Sequence, residues 1–382
     1  MPDGIYLDHA ASTPLRPGVL EAMTPFLSPG GIHGNPSSSH RFGRAAKKAL
    51  EEARETVAGL LHCRPKEVCF TSGGTESDNL AVHGAVGALP SQRNGILTCA
   101  TEHPAVLEPC RKLGEAGVPL RILNPRPDGR VDPTELEAAI TPETGFVTLM
   151  VANNETGVRH PLLDVSRICW EKDLLLHTDA VQGIGHVPFN LDTFPVDLLS
   201  LTAHKLGGPR GVGALFVRQG VTLRPLMHGG AHETGRRPGT ENVAGAVGLA
   251  AALQMACAER EGGDRKLAAL RTRLVEGLRK AIPDLVLHGH PTERIPHIAS
   301  LSLPGVDASS LLVLLDQEGV AASGGSACHT GSAEPSAVLS AMGVPKALAL
   351  SAVRLSLGHT TTEAEVDEVL GILVRCAARL KR

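Results

Sequence analysis

Short apolar segments alternate with helix-period patterns through the first two-thirds of this chain. The apolar segments are almost continuous, which is typical of strands that are covered on both faces of a sheet. Between them lie helical stretches, such as residues 43–61, where Ala46, Leu50 and Val57 fall on one face. We predict strands at residues 68–72, 95–100, 146–153, 174–180, 196–204 and 213–217. Alternating units of this kind predict an α/β fold with a mostly parallel sheet.

The pattern changes near residue 260. The stretch EREGGD (259–264) predicts a break in the chain, and the segments after it mix helical and strand-like patterns. We therefore predict a large domain over residues 14–263 and a smaller α+β domain over residues 264–382. An N-terminal segment, residues 1–13, joins the two.

Composition excludes several classes of partner. The 382 residues carry a formal net charge of −3 and are 42% hydrophobic and 20% charged, as in an ordinary globular protein. No broad basic field is available to hold nucleic acid or an anionic membrane surface. The N-terminal residues lack the basic and apolar regions of a signal peptide. We expect a cytoplasmic protein with neither direct nucleic-acid contacts nor membrane contacts.

The eight cysteines include no C-x-x-C pair, and a chain of this size needs no disulfide staples. Most are predicted to be small core residues, as Cys99 and Cys169 are in their apolar surroundings. Cys328 is different, because it lies beside His329 in SGGSACHTG (323–331), among glycine, serine and alanine. Taken alone, this thiol could be a nucleophile, a metal ligand together with His329, or half of a disulfide.

A glycine-containing turn at TSGGTESDNLA (71–81) lies between a predicted strand and a predicted helix. Glycine lets the backbone approach a ligand closely, and a helix N-terminus offers free N–H groups to a phosphate. The turn matches neither of the two common nucleotide-binding fingerprints. A capped tight turn with no ligand explains it equally well.

Two further residues follow predicted strands. Lys205, in LTAHKLGGPRGVG (201–213), is placed where a buried amine could form a Schiff base, although a surface lysine is the simpler interpretation. Asp179 could pair with a pyridinium nitrogen or could simply cap a helix. A phosphate-type turn, then an acid, then a lysine, all at strand ends, is the order typical of pyridoxal-phosphate enzymes of the aminotransferase type.

Ten segments of the chain occur in the order seen in cysteine desulfurases, a branch of the class V aminotransferase family. The chain resembles that family from about residue 5 to residue 370, which is nearly its whole length. The segments are YLDHAASTP (6–14), HGNPSSSHRFGR (33–44), SGGTESDNLA (72–81), TEHPAVLEP (101–109), NNETG (153–157), HTDAVQ (177–182), LTAHKLGGPRGVG (201–213), GGAHETGRRPGTENV (229–243), SGGSACHTGSAEPS (323–336) and AVRLSLG (352–358). The resemblance implies the fold type I of pyridoxal-phosphate transferases, with a mostly parallel seven-stranded sheet.

The resemblance also implies how the cofactor, pyridoxal 5'-phosphate, is held. Lys205 matches the lysine that carries the cofactor as a Schiff base. The phosphate-binding positions match Gly74 and Thr75, with Thr202 and His204 adding to them.

Four residues match positions around the cofactor ring. Asp179 matches the acid that keeps the pyridine nitrogen protonated, and Gln182 matches the partner of the phenolic oxygen. Asn154 lies where a nearby amide is expected. His103 matches a histidine that stacks on the ring and handles protons.

The resemblance extends to substrate and partner contacts. Thr240 matches a residue that reaches the cofactor phosphate of a neighbouring subunit, which implies a homodimer. Arg354 matches the arginine that binds the carboxylate of the substrate, a task for which its planar fork is suited, and Asn35 assists it.

Cys328 matches the nucleophile of the family, and His329 has no assigned role. The resemblance implies that L-cysteine becomes L-alanine while its sulfur passes to Cys328 as a persulfide. A sulfur-acceptor protein, such as an iron–sulfur scaffold, would receive the sulfur for cluster assembly and for tRNA thiolation. A selenocysteine lyase or a class V transaminase of the same fold remains an alternative.

Overall fold

The computed structural model describes residues 4–324 and 334–381. In chain order, the strands of this part of the chain are β1 (Ile5–Tyr6), β2 (Val68–Thr71), β3 (Gly95–Cys99), β4 (Leu120–Leu123), β5 (Thr144–Thr148), β6 (Leu175–Asp179), β7 (Leu198–Thr202), β8 (Gly213–Val217), β9 (Val286–Leu287), β10 (Ile298–Ser302), β11 (Val320–Ala321), β12 (Ser323–Gly324) and β13 (Ala352–Ser356).

The α-helices of the same residues are α1 (Pro17–Leu27), α2 (Arg41–Leu61), α3 (Gly74–Ala88), α4 (Pro104–Glu115), α5 (Pro133–Ala138), α6 (Leu162–Glu171), α7 (Val243–Ala281), α8 (Ala308–Gln317), α9 (Ala337–Ala341), α10 (Lys346–Ala349) and α11 (Glu363–Leu380). Short 3₁₀ turns lie at Pro65–Glu67, Ser91–Arg93, Ala203–Lys205 and His232–Gly235.

Seven strands form the main sheet in the order β2-β8-β7-β6-β5-β3-β4. Only β8 runs antiparallel to its two neighbours, which confirms the predicted α/β fold with a mostly parallel sheet. The predicted strand at 146–153 is wrong in its second half, because β5 ends at Thr148 and the chain turns towards the site. The strand β4 was not predicted, since it lies at the sheet edge and is only partly buried.

The predicted break at 259–264 is also wrong, because α7, which is 39 residues long, runs through it without interruption. Glycine in a helix interior costs up to about 1 kcal/mol. Here Gly262 and Gly263 face open space, and the apolar turns on either side of them are packed. Burial of those neighbouring turns therefore holds the helix together across a locally unfavourable stretch.

Two apolar cores divide near this point of α7. Ala256 packs with the core around the main sheet, whereas Leu267 packs with the core around the second sheet, whose order is β12-β13-β10-β9. The N-terminal strand β1 pairs in parallel with β11, so the first residues join the second core. The division into domains at residues 263 and 264 stays a prediction.

Buried histidines predict a loss of stability in acid. Burial lowers the pKa of His177 to about 3 and the pKa values of His160 and His288 to about 4. Unfolded histidine titrates near pH 6.5, so below that pH each of these histidines binds more protons in the unfolded chain than in the folded chain. Each group then costs about 1.4 kcal/mol per pH unit until the pH falls through the pKa of the folded state.

We expect each of these three histidines to contribute a fall in melting temperature between pH 6.5 and pH 4, as measured by calorimetry. His177→Asn should flatten this dependence, because it removes one titrating group that is 0% exposed. His228→Asn, at an exposed position, is the control and should leave the slope unchanged. An unchanged slope in the His177 variant would contradict the linkage.

Candidate active site

Parallel strands bring the site residues to one edge of the main sheet. The carboxyl ends of β2, β6 and β7 lie at the same edge, because these strands share one direction. The glycine turn follows β2, Asp179 ends β6, and Lys205 closes the short turn after β7. Ligands bind at this edge in open α/β sheets.

These residues surround a cavity of about 200 Å³. Nine of the ten cofactor-binding residues predicted from the sequence line it, namely Gly74, Thr75, His103, Asn154, Asp179, Gln182, Thr202, His204 and Lys205. Four lining residues were not predicted, namely Asp78, Met150, Ala152 and Val181. Asp78 had a sequence signal, since it lies one helical turn after Gly74, whereas the apolar three had none.

A second cavity of about 500 Å³ also reaches Gln182 and Lys205. It continues along α7 to His297 and Gly358 of the second sheet region. The acid and the glycine turn line only the smaller cavity, so we assign the chemistry to the smaller one.

The N-terminal segment holds the lysine of the site. The Nζ atom of Lys205 donates to the carbonyl oxygens of Ala10 at 2.6 Å and Ala11 at 2.7 Å. The Nε2 atom of Gln182 donates to the same Ala10 oxygen at 2.8 Å. The N-terminal segment therefore fixes Lys205 and Gln182, two of the residues that line the cavity.

Two buried carboxyl groups, Asp78 and Asp179, line the cavity, and a third, Glu102, accepts the N–H of the lining residue Met150. Burial, followed by the charge of Asp179, raises the pKa of Asp78 well above its ordinary value. Burial raises the pKa of Glu102 to about 8 and also raises that of Asp179. Of the three, Asp179 alone lies close enough to His103 and to the ammonium of Lys205 for a positive charge on either to favour its anion. The arrangement therefore favours the anion at Asp179 more than at the other two carboxyl groups.

His103 caps α4, and this contact fixes its tautomer. Its Nδ1 atom accepts a hydrogen bond from the N–H of Ala105 at 3.1 Å. Burial, together with the charge of Lys205, lowers the pKa of His103, although Asp179 opposes the shift. The ring is therefore neutral at pH 7 with its proton on Nε2, which the cap leaves available to the cavity.

The first turn of α3 supplies the anion-binding end of the cavity. Its N–H groups have no acceptor within the helix, and they carry the positive end of the helix dipole. A Cβ atom at Gly74 would lie 2.9 Å from Cγ2 of Val181, so any larger residue would crowd the cavity wall. His204, another lining residue, has its pKa lowered to about 4, mainly because it is buried and also because of the charges of Lys205 and Arg210.

Arg354 lies at the boundary between the two cores with donors to spare. Its Nη2 atom donates to Oδ1 of Asp8 at 2.7 Å, and Nη1 donates to the carbonyl oxygen of Asn154 at 2.9 Å. Its Nε atom is buried and has no partner within the described residues. A buried guanidinium with an unmet donor is suited to a carboxylate ligand.

Arg354 does not line the cavity, and three further predicted residues lie apart from it or outside the described residues. Asn35 and Thr240 are exposed, and neither lines the cavity within this chain. Cys328 lies outside the described residues, as does His329. Within the described residues, no group of three or more His, Cys, Asp or Glu side chains is arranged to hold a metal ion. In the same part of the chain, no helix is both long and apolar enough to cross a membrane.

An amine, a buried acid and an open helix N-terminus therefore meet in one small cavity. These are the groups that pyridoxal phosphate requires for its aldehyde, its ring nitrogen and its phosphate, so the residues fit that cofactor. Fold and site together define a pyridoxal-phosphate-dependent enzyme.

Comparison with known proteins gives the family. Residues 5–369 match the aminotransferase class-V family. Over 99% of its length the chain is 45% identical to "Cysteine desulfurase IscS" of Dictyoglomus turgidum, covering 95% of that protein. It is 44% identical to "Cysteine desulfurase IscS" of Methanosarcina thermophila, covering 99% of this chain and 93% of that protein. The chain belongs to the aminotransferase class-V family and, within it, to the cysteine desulfurases.

Solved structures give the same result. A "NIFS-LIKE PROTEIN" superposes with a TM-score of 0.93 at 37% identity, over 99% of this chain and all of that one. "SspA in complex with cysteine" superposes with a TM-score of 0.80 at 32% identity, over 92% of this chain and 98% of that one. These similarities confirm the predicted fold type.

Proposed function

We propose that this cysteine desulfurase converts L-cysteine to L-alanine and carries the released sulfur as a persulfide on Cys328. One observation carries the proposal, namely that both flanks of the segment bearing Cys328 are fixed beside Arg354. On one flank, Ser323 pairs with Arg354 across β12 and β13. On the other, the hydroxyl of Ser336 donates to Oε2 of Glu155, a residue next to Asn154. Cys328 follows Gly324 by four residues, and four residues of chain reach at most about 14 Å.

Each described residue has a task in this reaction. Pyridoxal phosphate, when bound, would supply an electron sink for the Cα atom of the substrate. Lys205 holds the cofactor and then takes the proton from Cα. Asp179 would keep the ring nitrogen protonated, and Arg354 binds the substrate carboxylate, which fixes the orientation of the substrate in the cavity.

Sulfur transfer balances without an outside oxidant or reductant. The Cys328 thiolate attacks the substrate sulfur, so that a sulfur–sulfur bond forms and the bond from sulfur to Cβ breaks. The electron pair of the broken bond returns to the carbon skeleton, which takes up protons to become alanine. The ammonium of Lys205 returns the proton that it took from Cα, and the Nε2–H group of His103 is a hydrogen-bond donor available in the cavity.

The other cysteines are poor nucleophiles. The seven cysteines that the structure describes are all buried or half-buried, and burial raises the pKa of each thiol. For Cys63 the value is about 12 and for Cys99 about 11. Because the thiolate is the reactive form, burial makes these seven thiols weaker nucleophiles than an exposed cysteine. This supports Cys328 as the sulfur carrier.

The proposal includes a homodimer with shared sites. Thr240 is exposed and absent from the wall of its own cavity, which supports a contact with the cofactor phosphate of a partner subunit. Asn35 is exposed in the same way and would assist Arg354 across the same interface. The enzyme would act in the cytoplasm and pass its sulfur to an iron–sulfur scaffold protein or towards tRNA thiolation.

The test is to measure alanine and sulfide from L-cysteine, and alanine and selenide from selenocysteine, at equal enzyme concentrations. We expect sustained turnover of cysteine in the presence of a thiol that removes the persulfide. Turnover of selenocysteine alone would identify a selenocysteine lyase instead. Alanine formation that requires a keto acid would identify a transaminase.

Replacing Arg354 by lysine should weaken cysteine binding. Lysine keeps the charge but loses the planar fork, so two hydrogen bonds to the carboxylate become one. We expect KM for cysteine to rise by about tenfold to 100-fold, because a charge-assisted hydrogen bond contributes roughly 1.5–3 kcal/mol. Steady-state kinetics checks this, and Arg273→Lys, in the exposed pair with Asp367, is the control. An unchanged KM would place the substrate carboxylate elsewhere.

A further inference from the structure

A buried ion pair lies outside the cavity and takes no part in the chemistry described above. Two hydrogen bonds of 2.7 Å join the guanidinium of Arg54, in α2, to the two carboxylate oxygens of Glu233. Both residues are only 8% exposed. Glu233 also accepts the N–H of Phe70 at 2.9 Å, and Arg54 donates to the carbonyl oxygen of Val68 at 2.8 Å. The pair therefore ties residues 229–242 to β2.

The backbone at Glu233 and the residue after it adopts an unfavourable left-handed conformation. Glu233 has a φ of +48° and Thr234 a φ of +57°. Among the described residues these are the only two consecutive non-glycine residues with positive φ. Side chains disfavour this conformation, so it persists only where surrounding contacts over-determine it. The carboxylate of Glu233, with three hydrogen bonds, supplies those contacts.

A second ion pair joins residues 229–242 to the start of α3, directly after the glycine turn. The Nε atom of Arg237 donates to Oε1 of Glu76 at 2.9 Å, and the N–H of Ser72 donates to Oε2 at 2.7 Å. Although burial opposes it, these hydrogen bonds lower the pKa of Glu76 and keep it ionised. Glu76 follows Thr75 directly. Residues 229–242 are therefore held at two points, and Thr240 lies beyond both of them, exposed.

We propose that Arg54 and Glu233 are positioning residues that act across the subunit interface. They hold residues 229–242 in the shape that presents Thr240 to the cofactor phosphate of the partner subunit. This inference rests on the homodimer of the proposed function. It predicts that damage to the pair in one subunit weakens cofactor binding in the other.

Cofactor affinity of the apo-enzyme is the first readout. Glu233→Gln and Arg54→Lys should raise the Kd for pyridoxal phosphate by at least about tenfold, because each removes a charge-assisted hydrogen bond from the tie. Glu51→Gln is the matched control, since Glu51 also contacts Arg54, at 3.4 Å, but belongs to α2 and not to the segment. Trypsin should also cut faster after Arg236 in the two variants and not in the control.

A mixed dimer separates the positioning role from a local one. Subunits carrying Lys205→Ala are paired with subunits carrying Glu233→Gln, and borohydride then fixes the cofactor only where Lys205 is present. That site is completed by the intact segment of its Lys205→Ala partner. We expect its cofactor affinity to return to the wild-type value, whereas the Glu233→Gln homodimer stays weakened.

Each other outcome has a defined meaning. An affinity in the mixed dimer as weak as in the Glu233→Gln homodimer would show that Glu233 acts on its own subunit, and this would overturn the inference. A chain that sediments as a monomer and forms no mixed dimer would overturn the proposed homodimer first. Where Glu233→Gln unfolds the chain, as judged by circular dichroism, Arg54→Lys takes its place, because it retains the buried charge.

Discussion

Replacing Lys205 by alanine should reduce alanine formation from cysteine by at least about 1000-fold, since the variant loses both the covalent attachment of the cofactor and the base for the Cα proton. Lys205 lines the cavity, and its Nζ atom is held by hydrogen bonds to the carbonyl oxygens of Ala10 and Ala11. Within the described residues, Lys205 is the only lysine that lines the smaller cavity, so no neighbouring amine can substitute for it. Stopped-flow and steady-state measurements of alanine formation check this expectation.

The matched control is Lys112→Ala, which removes an exposed lysine from α4, the helix that His103 caps. It should leave both the rate and the cofactor content unchanged. Dialysis supplies a second readout, because the Lys205 variant should release its cofactor while the control retains it. Activity in the Lys205 variant within about tenfold of the wild type would contradict the role of this amine.

Replacing Cys328 by alanine should have the second large effect. Sulfide release from cysteine should fall by at least about 100-fold, because burial makes the other seven thiols weaker nucleophiles. Cofactor content and the absorbance of the bound cofactor should stay at wild-type levels, since Cys328 is not among the residues proposed to hold it. Cysteine turnover is followed by alanine and sulfide assays run in parallel.

The chain offers a matched control for this substitution. Cys257→Ala removes a half-buried thiol from α7, and burial raises the pKa of that thiol. The control should retain full activity. Selenocysteine turnover in the Cys328 variant adds a second comparison, because selenium leaves carbon more easily than sulfur does. Sulfide release that survives in the Cys328 variant would remove the persulfide from the mechanism.

The sequence predicted the main sheet because its signal is local. Fully buried parallel strands are continuous apolar runs, and β3, β6, β7 and β8 were placed within two residues at each end. The edge strand β4 was missed because it is only partly buried and therefore lacks that pattern. The break in α7 was wrongly predicted because tertiary packing outweighs two exposed glycines, which no local pattern records.

The candidate site shows the same difference between local signals, which the sequence reveals, and long-range contacts, which it does not. Residues at strand ends, such as Asp179 and Lys205, could be predicted from chemistry and from the resemblance to a family. The contacts of Ala10 with Lys205 and of Asp8 with Arg354 could not, because they join residues nearly 200 or more positions apart in the chain. The same holds for the pair formed by Arg54 and Glu233, which depends on the bent backbone of residues 229–242.

One measurement tests the central claim most directly. The holoenzyme is mixed with a small excess of L-cysteine, without acceptor protein or added thiol, and is quenched after a single turnover. Alanine is then counted, and the sulfur content of every cysteine-containing peptide is determined by mass spectrometry. We predict one alanine and one added sulfur atom per subunit, with the sulfur on the peptide that contains Cys328. Alanine without added sulfur on that peptide, or with the sulfur on another cysteine, would contradict the proposed sulfur transfer.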